Sequence, residues 1–325
     1  KLWRFVMIKP HRLYKKLLSI RPIRGLMGFS HRHSIPGFEG ISIYSVAKAF
    51  IFGVTEESVT DRAAAITFKF FMAMFPLLLF FCTLIPIIPI DGLQEKLLQT
   101  YTEFMPDQVA ALLNDAITQA ITSPNGGLLS LSFISALFFS SNGVVGLIKA
   151  MNDSAHLRET RSGVGRRLTA MFILLIVFFM SLLAVGFTIV STWLIQWLAE
   201  NGLVAISATF WLNFVKFLIL YLILFITIST IYYLAPAKAL RKKFISPGAI
   251  LATNVSILAS YLITVFFQNF DNYNKIYGAI GSIPILMLWI FINSLVLLIG
   301  FELNVSITMT KRNQKKTRYR VLKRP

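Results

Sequence analysis

Residues 61–90 read DRAAAITFKFFMAMFPLLLFFCTLIPIIPI and establish the class of fold. From Ala63 onward the stretch is apolar and contains a single charged residue, Lys69. About 20 apolar residues are enough for a helix to cross a bilayer. The stretch therefore predicts a membrane-spanning helix over residues 63–90. We expect Pro76 to kink this helix, because proline removes a backbone hydrogen bond.

The composition of the 325 residues extends this conclusion to the whole chain. Hydrophobic residues make up 56% and charged residues 14%, against roughly 25% charged residues in an average globular domain. One soluble core could not bury that much apolar surface, and such a composition also excludes intrinsic disorder. Cys82 is the only cysteine, which excludes a disulfide scaffold. The apolar runs are continuous, whereas a transmembrane β-barrel needs alternating ones.

Five further apolar segments complete the predicted membrane domain over residues 61–310. They lie at about residues 128–148, 168–198, 210–235, 249–270 and 279–301. We therefore predict an all-α polytopic membrane protein with six transmembrane helices. Residues 1–60 are predicted to be a basic segment with amphipathic helices, and residues 311–325 a basic tail. A stripe of apolar residues at helical spacing predicts an amphipathic helical cap over residues 91–127.

Positive charge is distributed unequally between the connections. The two tails and the alternate connections hold 28 of the 32 Lys and Arg residues, and the opposite connections hold only Lys96 and Lys275. Since Lys and Arg collect on the cytoplasmic side of membrane proteins, we expect both termini in the cytoplasm and the cap outside. We interpret the net charge of +18 as contact with anionic lipid headgroups, and we expect no nucleic-acid partner.

Polar residues inside the spans are candidates for a substrate pathway, because such residues are costly in a bilayer. Lys69 and Glu302 either share a polar pocket, or Lys69 extends to the headgroups while Glu302 faces water. Asn142 either interrupts the second span at mid-depth, as in many transporters, or forms an interhelical hydrogen bond that only stabilises the bundle. We expect Lys216 to extend to the outer boundary. The complete set of candidates is Lys69, Ser141, Asn142, Asn152, Asn293, Glu302 and Asn304.

The sequence also contains one helix-packing signal, and it contains no catalytic pattern. Gly248, Ala252, Ser256 and Ser260 recur every four residues and form a ridge of small side chains, along which helices approach closely. No nucleotide-binding or Gly-x-Ser-x-Gly motif stands at a strand-to-helix turn, and His31 and His33 lack a further metal ligand nearby. We therefore predict no cofactor, no metal site and no enzymatic activity.

Four motifs resemble the YihY/BrkB family of bacterial membrane proteins. The first is Asp61-Arg62-Ala63-Ala64-Ala65 followed by Phe75-Pro76-Leu77-Leu78-Leu79, which is similar to the family's first span. The others are Ser141-Asn142-Gly143, Tyr232-Tyr233-Leu234-Ala235-Pro236 and Gly300-Phe301-Glu302-Leu303-Asn304. The sequence departs from the family pattern in two places. Asn142 stands where the pattern has arginine, and Lys69 stands in a normally aromatic or apolar stretch, which is consistent with a relocated positive charge.

The resemblance implies a six-span protein of the bacterial inner membrane. Members of the family have been labelled ribonuclease BN, and others have been associated with serum resistance and with movement of envelope lipids. We expect a transporter or translocase of a lipid or amphipathic anion. The alternative is a structural or regulatory membrane protein that binds envelope partners and self-associates through the small-residue ridge. A nuclease or lipid-modifying enzyme is the least supported interpretation, because the sequence offers no cluster of metal ligands.

Overall fold

The computed structural model describes residues 34–35, 37–56, 58–84, 87, 126–154, 159–202, 206–237, 243–268 and 282–322. Within these ranges the chain forms seven helices and no strand. They are α1 (Ile43–Glu56), α2 (Val59–Leu84), α3 (Gly126–Ser154), α4 (Gly163–Glu200), α5 (Ile206–Leu234), α6 (Pro247–Gln268) and α7 (Ser282–Leu322). The outer cap is predicted over residues 91–127 and the basic segment over residues 1–60; of these, residues 91–125 and 1–33 lie outside the described residues.

Six of the described helices, α2 to α7, are long and apolar enough to cross a membrane. This confirms the prediction of an all-α protein with six membrane-spanning helices. The bounds differ most at α3, which ends six residues after the predicted span, and at α7, which continues from residue 301 to Leu322. Hydropathy marks only the apolar part of a helix, whereas backbone hydrogen bonding continues into good helix formers such as Lys and Arg.

Local sequence explains where α4 begins and ends. The Ser162 side chain accepts a hydrogen bond from the backbone N–H of Gly165 at 3.1 Å, which satisfies one of the donors left open in the first turn. The helix ends at Asn201, and Gly202 follows with φ +65°. Only glycine adopts that conformation without strain. Of the 38 residues of α4 only Ala170 and Ile173 are buried, so its apolar side chains are available for lipid contact.

The described chain divides into two compact units, Lys1–Glu57 with Glu302–Pro325, and Ser58–Phe301. In the first unit α1 packs against the C-terminal half of α7. Ile41, Val46 and Ile307 form its small core, and Lys311 is paired with Glu39. Gly53 of α1 lies so close to the buried carboxylate of Glu302 that a Cβ atom would overlap it.

The second unit is built from antiparallel neighbours. Arg62, Phe70 and Thr83 along α2 contact Ser154, Gly143 and Ser132 along α3, in the reverse order. This register brings the N-terminus of α2 to the C-terminus of α3. At the same end the Arg161 guanidinium donates to the carbonyl of Ala235, just after α5, at 2.8 Å. We call the end defined by Arg62, Ser154, Arg161 and Ala235 the basic end of the second unit.

Helices α5, α6 and α7 meet around one glycine of the second unit. A Cβ atom at Gly300 would lie 2.6 Å from the Tyr232 hydroxyl and 2.7 Å from both the Ala252 Cβ and the Gly248 carbonyl oxygen. The Tyr232 hydroxyl donates to the carbonyl of Leu297 at 2.6 Å. The absence of a side chain at Gly300 therefore allows three helices to approach at this point.

Candidate functional site

Two cationic side chains reach one face of α3. This face carries Phe138, Asn142 and Gly146 at intervals of four residues, which aligns them along the helix. From α4 the Arg167 guanidinium donates to the Asn142 side-chain oxygen at 3.2 Å and to the Ser141 hydroxyl at 3.4 Å. Its Cζ atom also lies 4.2 Å from the centre of the Phe138 ring, in cation–π geometry.

The second cation comes from α2. The side chain of Lys69 lies against Gly146, where a Cβ atom would be 2.9 Å from the Lys69 Cδ and 3.0 Å from its Nζ. Glycine at position 146 therefore makes the space that this lysine occupies. We call Lys69, Phe138, Asn142, Gly146 and Arg167 the cation site.

The cation site has positive charge and no carboxylate among the residues that the structure describes. Arg167 is held there by an amide, a hydroxyl and an aromatic face. In the same part of the chain no hydrogen bond or ion pair is found for the Lys69 ammonium. A guanidinium has five N–H donors and an ammonium has three, so both groups keep donors for an anion. Phosphate oxygens are suitable acceptors, because arginine binds them in bidentate geometry.

The exposed residues of α3 change from apolar to charged beside the cation site. Between residues 131 and 139 the exposed side chains are all apolar, as lipid contact requires. From Ser141 to Ser154 the only exposed residues are Lys149 and Asp153, which are charged. The run of exposed apolar side chains on α3 therefore ends just before Asn142.

The partner helix gives the same boundary. Arg167 directly precedes residues 168–199 of α4, which carry no charge. α3 is a continuous helix through Asn142, so the expected interruption of the second span at this residue is not observed. The depth of Asn142 in the membrane stays a prediction. The apolar residues Val144, Leu147 and Met151 that follow it are buried in protein.

Asn152 belongs to a different polar network, at the basic end. Its amide donates to a Glu159 carboxylate oxygen at 2.7 Å, and its side-chain oxygen accepts from the backbone N–H of Ala237 at 2.8 Å. Arg161 donates to both oxygens of Glu159, at 2.8 and 2.9 Å. These hydrogen bonds lower the pKa of the Glu159 carboxyl below its ordinary value of 4.5. The network connects the ends of α3, α4 and α5.

The remaining sequence candidates lie elsewhere in the fold. Asn293 donates to the Trp289 carbonyl of its own helix at 2.9 Å. Glu302 and Asn304 belong to the first compact unit and Lys69 to the second, so the pairing of Lys69 with Glu302 stays a prediction.

The residues assigned to helix geometry are placed as follows. Gly248 and Ala252 lie against Gly300, Ser256 is buried and Ser260 is partly buried. Pro76 lies inside the continuous helix α2. Ser141 contacts the cation site, because its hydroxyl accepts a hydrogen bond from Arg167 at 3.4 Å. The same hydroxyl donates to the Phe138 carbonyl at 2.8 Å.

Sequence reasoning missed Arg167 as a site residue. It was counted only among the basic residues that orient the helices, because it follows Arg166 at the start of an apolar span. A signal was available in the resemblance, whose pattern has arginine where this chain has Asn142. The structure brings the guanidinium of Arg167 to that position from the next helix.

The fold defines a polytopic α-helical membrane protein, in which Lys69 and Arg167 lie against one face of α3. The family model described as Virulence factor BrkB matches residues 51–321. The chain therefore belongs to the BrkB (YihY) family.

Relatives with similar sequences are found in several bacteria. The chain is 28% identical over 253 residues to the putative ribonuclease-like protein YfkH of Bacillus subtilis (strain 168), which covers 78% of this chain and 91% of that protein. A UPF0761 membrane protein of Haemophilus influenzae (strain 86-028NP) is 24% identical over 268 residues, or 81% of this chain and 95% of that protein. A UPF0761 membrane protein of Coxiella burnetii (strain Dugway 5J108-111) is 26% identical over 254 residues, or 75% of this chain and 86% of that protein. No solved structure matches the chain.

Proposed function

We propose that this protein is a transporter or translocase of an amphipathic anion, and specifically of an anionic lipid, in the bacterial cytoplasmic membrane. The observation that carries the proposal is that Lys69 and Arg167 both lie against one face of α3, where its exposed apolar side chains end. We propose that this point lies at the level of the lipid phosphates, whose oxygens match the unused donors of the two cations.

The surroundings of the cation site fit a lipid better than a small soluble anion. Phe138, on which Arg167 is stacked, is 47% exposed, and Leu168 beside Arg167 is 62% exposed. Both are apolar and continue the exposed surface of α3 and α4. A lipid bound by its phosphate at the cation site would therefore keep its acyl chains against apolar helix surface.

The charge of the site also fits a translocating role. An anionic headgroup meets a high barrier in the hydrocarbon core, because a charge there loses its hydration. Fixed cations offset part of that loss at the point where the headgroup leaves water. We propose membrane lipids as the partners and no chemical conversion of the substrate. Among the described residues no group of three or more His, Cys, Asp or Glu could hold a metal ion.

The experiment is a translocation assay in liposomes that contain the purified protein. Fluorescent phosphatidylglycerol and fluorescent phosphatidylcholine are placed in both leaflets of separate preparations, and the outer label is quenched chemically. We expect the anionic lipid to be quenched past the protein-free plateau. Because a charge-assisted hydrogen bond contributes about 1.5–3 kcal/mol, Arg167→Gln and Lys69→Gln should each slow this phase about tenfold.

The matched control is Lys149→Gln, which removes one positive charge from an exposed side chain on the same helix. It should leave the rate unchanged, and Arg167→Lys should retain part of it. Equal rates for Arg167→Gln, Lys149→Gln and the unmodified protein would refute the role of the cation site. Quenching that stops at the plateau in vesicles with folded protein would refute passive lipid translocation.

A second candidate function is that of a regulatory or scaffolding membrane protein. It is favoured by α1 of the first compact unit, whose exposed face carries Ile51 and Phe52, each 61% exposed. Such a face is suited to an envelope partner or a second copy of the chain. Under this alternative no variant of the cation site affects any liposome rate, and Ile51→Ser with Phe52→Ser abolishes a specific cross-linked product in native membranes.

A further inference from the structure

A third cation, Lys216, lies among the apolar helices, far from the basic end. The ammonium of Lys216 on α5 donates to the hydroxyl of Thr192 on α4 at 2.5 Å. Lys216 is ten residues from the start of α5 and Thr192 is eight residues from the end of α4, or about 15 and 12 Å at 1.5 Å per residue. The ammonium of Lys216 is therefore held between two helices. Its expected extension to the outer boundary stays a prediction.

Aromatic residues mark the depth of this cation. Trp193 and Trp211 are each 63% exposed, and Trp193 stacks on Trp197 with ring centres 6.4 Å apart. Exposed tryptophans concentrate at the interface between lipid and water. Lys216 lies five residues beyond Trp211, on the side of the hydrocarbon core. Its ammonium therefore lies just beneath the headgroups of the leaflet opposite to the basic end.

The ammonium of Lys216 has binding capacity left. It has three donors, and Thr192 accepts one of them. No carboxylate pairs with it within the described ranges. Thr192 in turn donates to the carbonyl of Thr188 at 2.6 Å, so its hydroxyl orientation is fixed. An ammonium with two of its three donors left, in an apolar setting, favours an anion that arrives from the lipid.

One face of α4 runs from Arg167 to Thr192, the residue that holds Lys216. Arg167, Leu174, Ser181 and Thr188 recur every seven residues, so they lie close to one line along the helix, and Thr192 follows one turn later. The hydroxyls of Ser181 and Thr188 donate to carbonyls of their own helix, at 2.8 and 2.7 Å. Each oxygen can still accept a hydrogen bond.

The length of this line matches a bilayer. From Arg167 to Thr192 the helix rises about 38 Å, which exceeds the hydrocarbon thickness of about 30 Å. This length is consistent with Arg167 and Lys216 lying near opposite boundaries of a membrane. Exposed apolar residues, including Val185 and Ile189, lie along the same part of α4.

We propose that Lys216 and Thr192 form a second anion site, which binds the phosphate of an anionic lipid in the leaflet opposite to the basic end. The inference rests on the proposed function and deepens it, because it gives the lipid a binding site in each leaflet. In this arrangement α4 is the helix along which the headgroup passes between the cation site and Lys216.

Photo-cross-linking tests this site separately from transport. The full-length protein in nanodiscs is irradiated with a phosphatidylglycerol that carries a photoreactive group beside its headgroup, and the labelled peptides are identified by mass spectrometry. We expect one adduct near Thr192 and another near Arg167. Lys216→Gln should lower the first adduct about tenfold and leave the second, as expected for loss of one charge-assisted hydrogen bond.

Three comparisons make the result decisive. Lys216→Arg should retain the adduct near Thr192, and Lys149→Gln should not change it. An adduct near Thr192 that Lys216→Gln leaves unchanged overturns the second site, even if the adduct near Arg167 still depends on Arg167. Displacement of the probe by millimolar glycerol 3-phosphate would assign the site to a soluble anion and overturn the lipid assignment.

If Lys216→Gln leaves the adduct near Thr192 unchanged and Arg167→Gln leaves the adduct near Arg167 unchanged, the proposed function fails together with the second site. A failure confined to Lys216 leaves the cation site and its transport role intact. The same preparation with a photoreactive phosphatidylcholine should give at most weak labelling near Thr192, because its headgroup carries no net charge. Equal labelling by both lipids would contradict the preference of the second site for an anionic lipid.

Discussion

Two arginines hold helix ends together at the basic end of the second unit. Arg62 donates to the Ala150 carbonyl at 2.9 Å and to the Ser154 hydroxyl at 2.5 Å, in the last turns of α3. Carbonyl groups in the last turn of a helix lack intrahelical partners, and a cation there is favourable. Arg161 does the same for α5 through the carbonyl of Ala235. The arginine of the Asp61-Arg62-Ala63 motif therefore has a structural role in this chain.

Glu159 gives the first prediction, at the scale of a single residue. Its pKa is lowered in the folded protein mainly by the hydrogen bonds from Arg161. A lowered pKa means that the network stabilises the protein above pH 4.5, the ordinary value, and that this stability is lost as the pH falls through the lowered pKa. Glu159→Gln should cost about 1 kcal/mol at neutral pH and progressively less as the pH falls through that range.

The measurement is the thermal unfolding midpoint in detergent at several pH values. Asp153→Asn is the matched control, because Asp153 is a nearby acidic residue whose side chain is exposed. It should leave both the midpoint and its pH dependence unchanged. Equal behaviour of the two variants would show that the Glu159 network does not contribute to stability.

At the scale of helices, glycines decide how closely the second unit packs. A Cβ atom at Gly143 of α3 would lie 2.8 Å from the Phe70 ring of α2. At Gly146 it would meet Lys69, and at Gly300 it would meet the backbone of α6. In lipid the hydrophobic effect does not drive helices together, so close contact between backbones supplies much of the association. Gly143 and Gly146 therefore allow the close approach of α2 and α3, and Gly300 that of α7 to α5 and α6.

Gly300→Ala is the prediction at this scale. The added methyl group would lie 2.7 Å from the carbonyl oxygen of Gly248, and a backbone atom cannot move aside without moving α6. We expect destabilisation by about 1–3 kcal/mol, as for other overpacked contacts. Thermal unfolding in detergent measures it.

Gly186→Ala is the control for Gly300→Ala. Gly186 lies on α4, and no atom lies within 4 Å of a Cβ atom built there. Because alanine favours a helix over glycine by about 1 kcal/mol, this variant should be as stable as the unmodified protein or more stable. A similar loss of stability in both variants would mean that close helix contact is not the cause of the loss in Gly300→Ala.

At the scale of the whole molecule, the orientation of the protein decides which leaflet the cation site faces and which leaflet Lys216 faces. The distribution of Lys and Arg predicts that the connection containing Glu159 and Arg161 is cytoplasmic. It also predicts that the turn at Asn201, where α4 ends, is on the outer side. This orientation would place the Lys69 and Arg167 cations in the inner leaflet and Lys216 in the outer leaflet.

Cysteine labelling tests the orientation. In a Cys82→Ser background, Asn201→Cys and Thr160→Cys each introduce one thiol at an exposed position. A membrane-impermeant maleimide should label position 201 in intact spheroplasts, and position 160 only after lysis. The reverse labelling pattern would place Lys69 and Arg167 in the outer leaflet and Lys216 in the inner leaflet.

Local sequence is sufficient to establish the class of fold and the helices that build it. Long uncharged runs such as residues 168–199 can only cross a bilayer as helices, because lipid offers no partner for backbone hydrogen bonds. The same local signals identified Lys69, Ser141 and Asn142 as polar residues that need an explanation. Motifs spaced along the chain then indicated the family.

Which of these residues meet, and at what depth, depends on contacts between helices. Arg167 reaches Asn142, and Lys216 reaches Thr192, across helix pairs whose register no local pattern encodes. Hydropathy also could not separate lipid from protein as the apolar surroundings of Val144 and Leu147, which are buried against other helices. The physical reason is that side-chain periodicity reports the period and polarity of a helix, whereas register and depth follow from contacts with its neighbours.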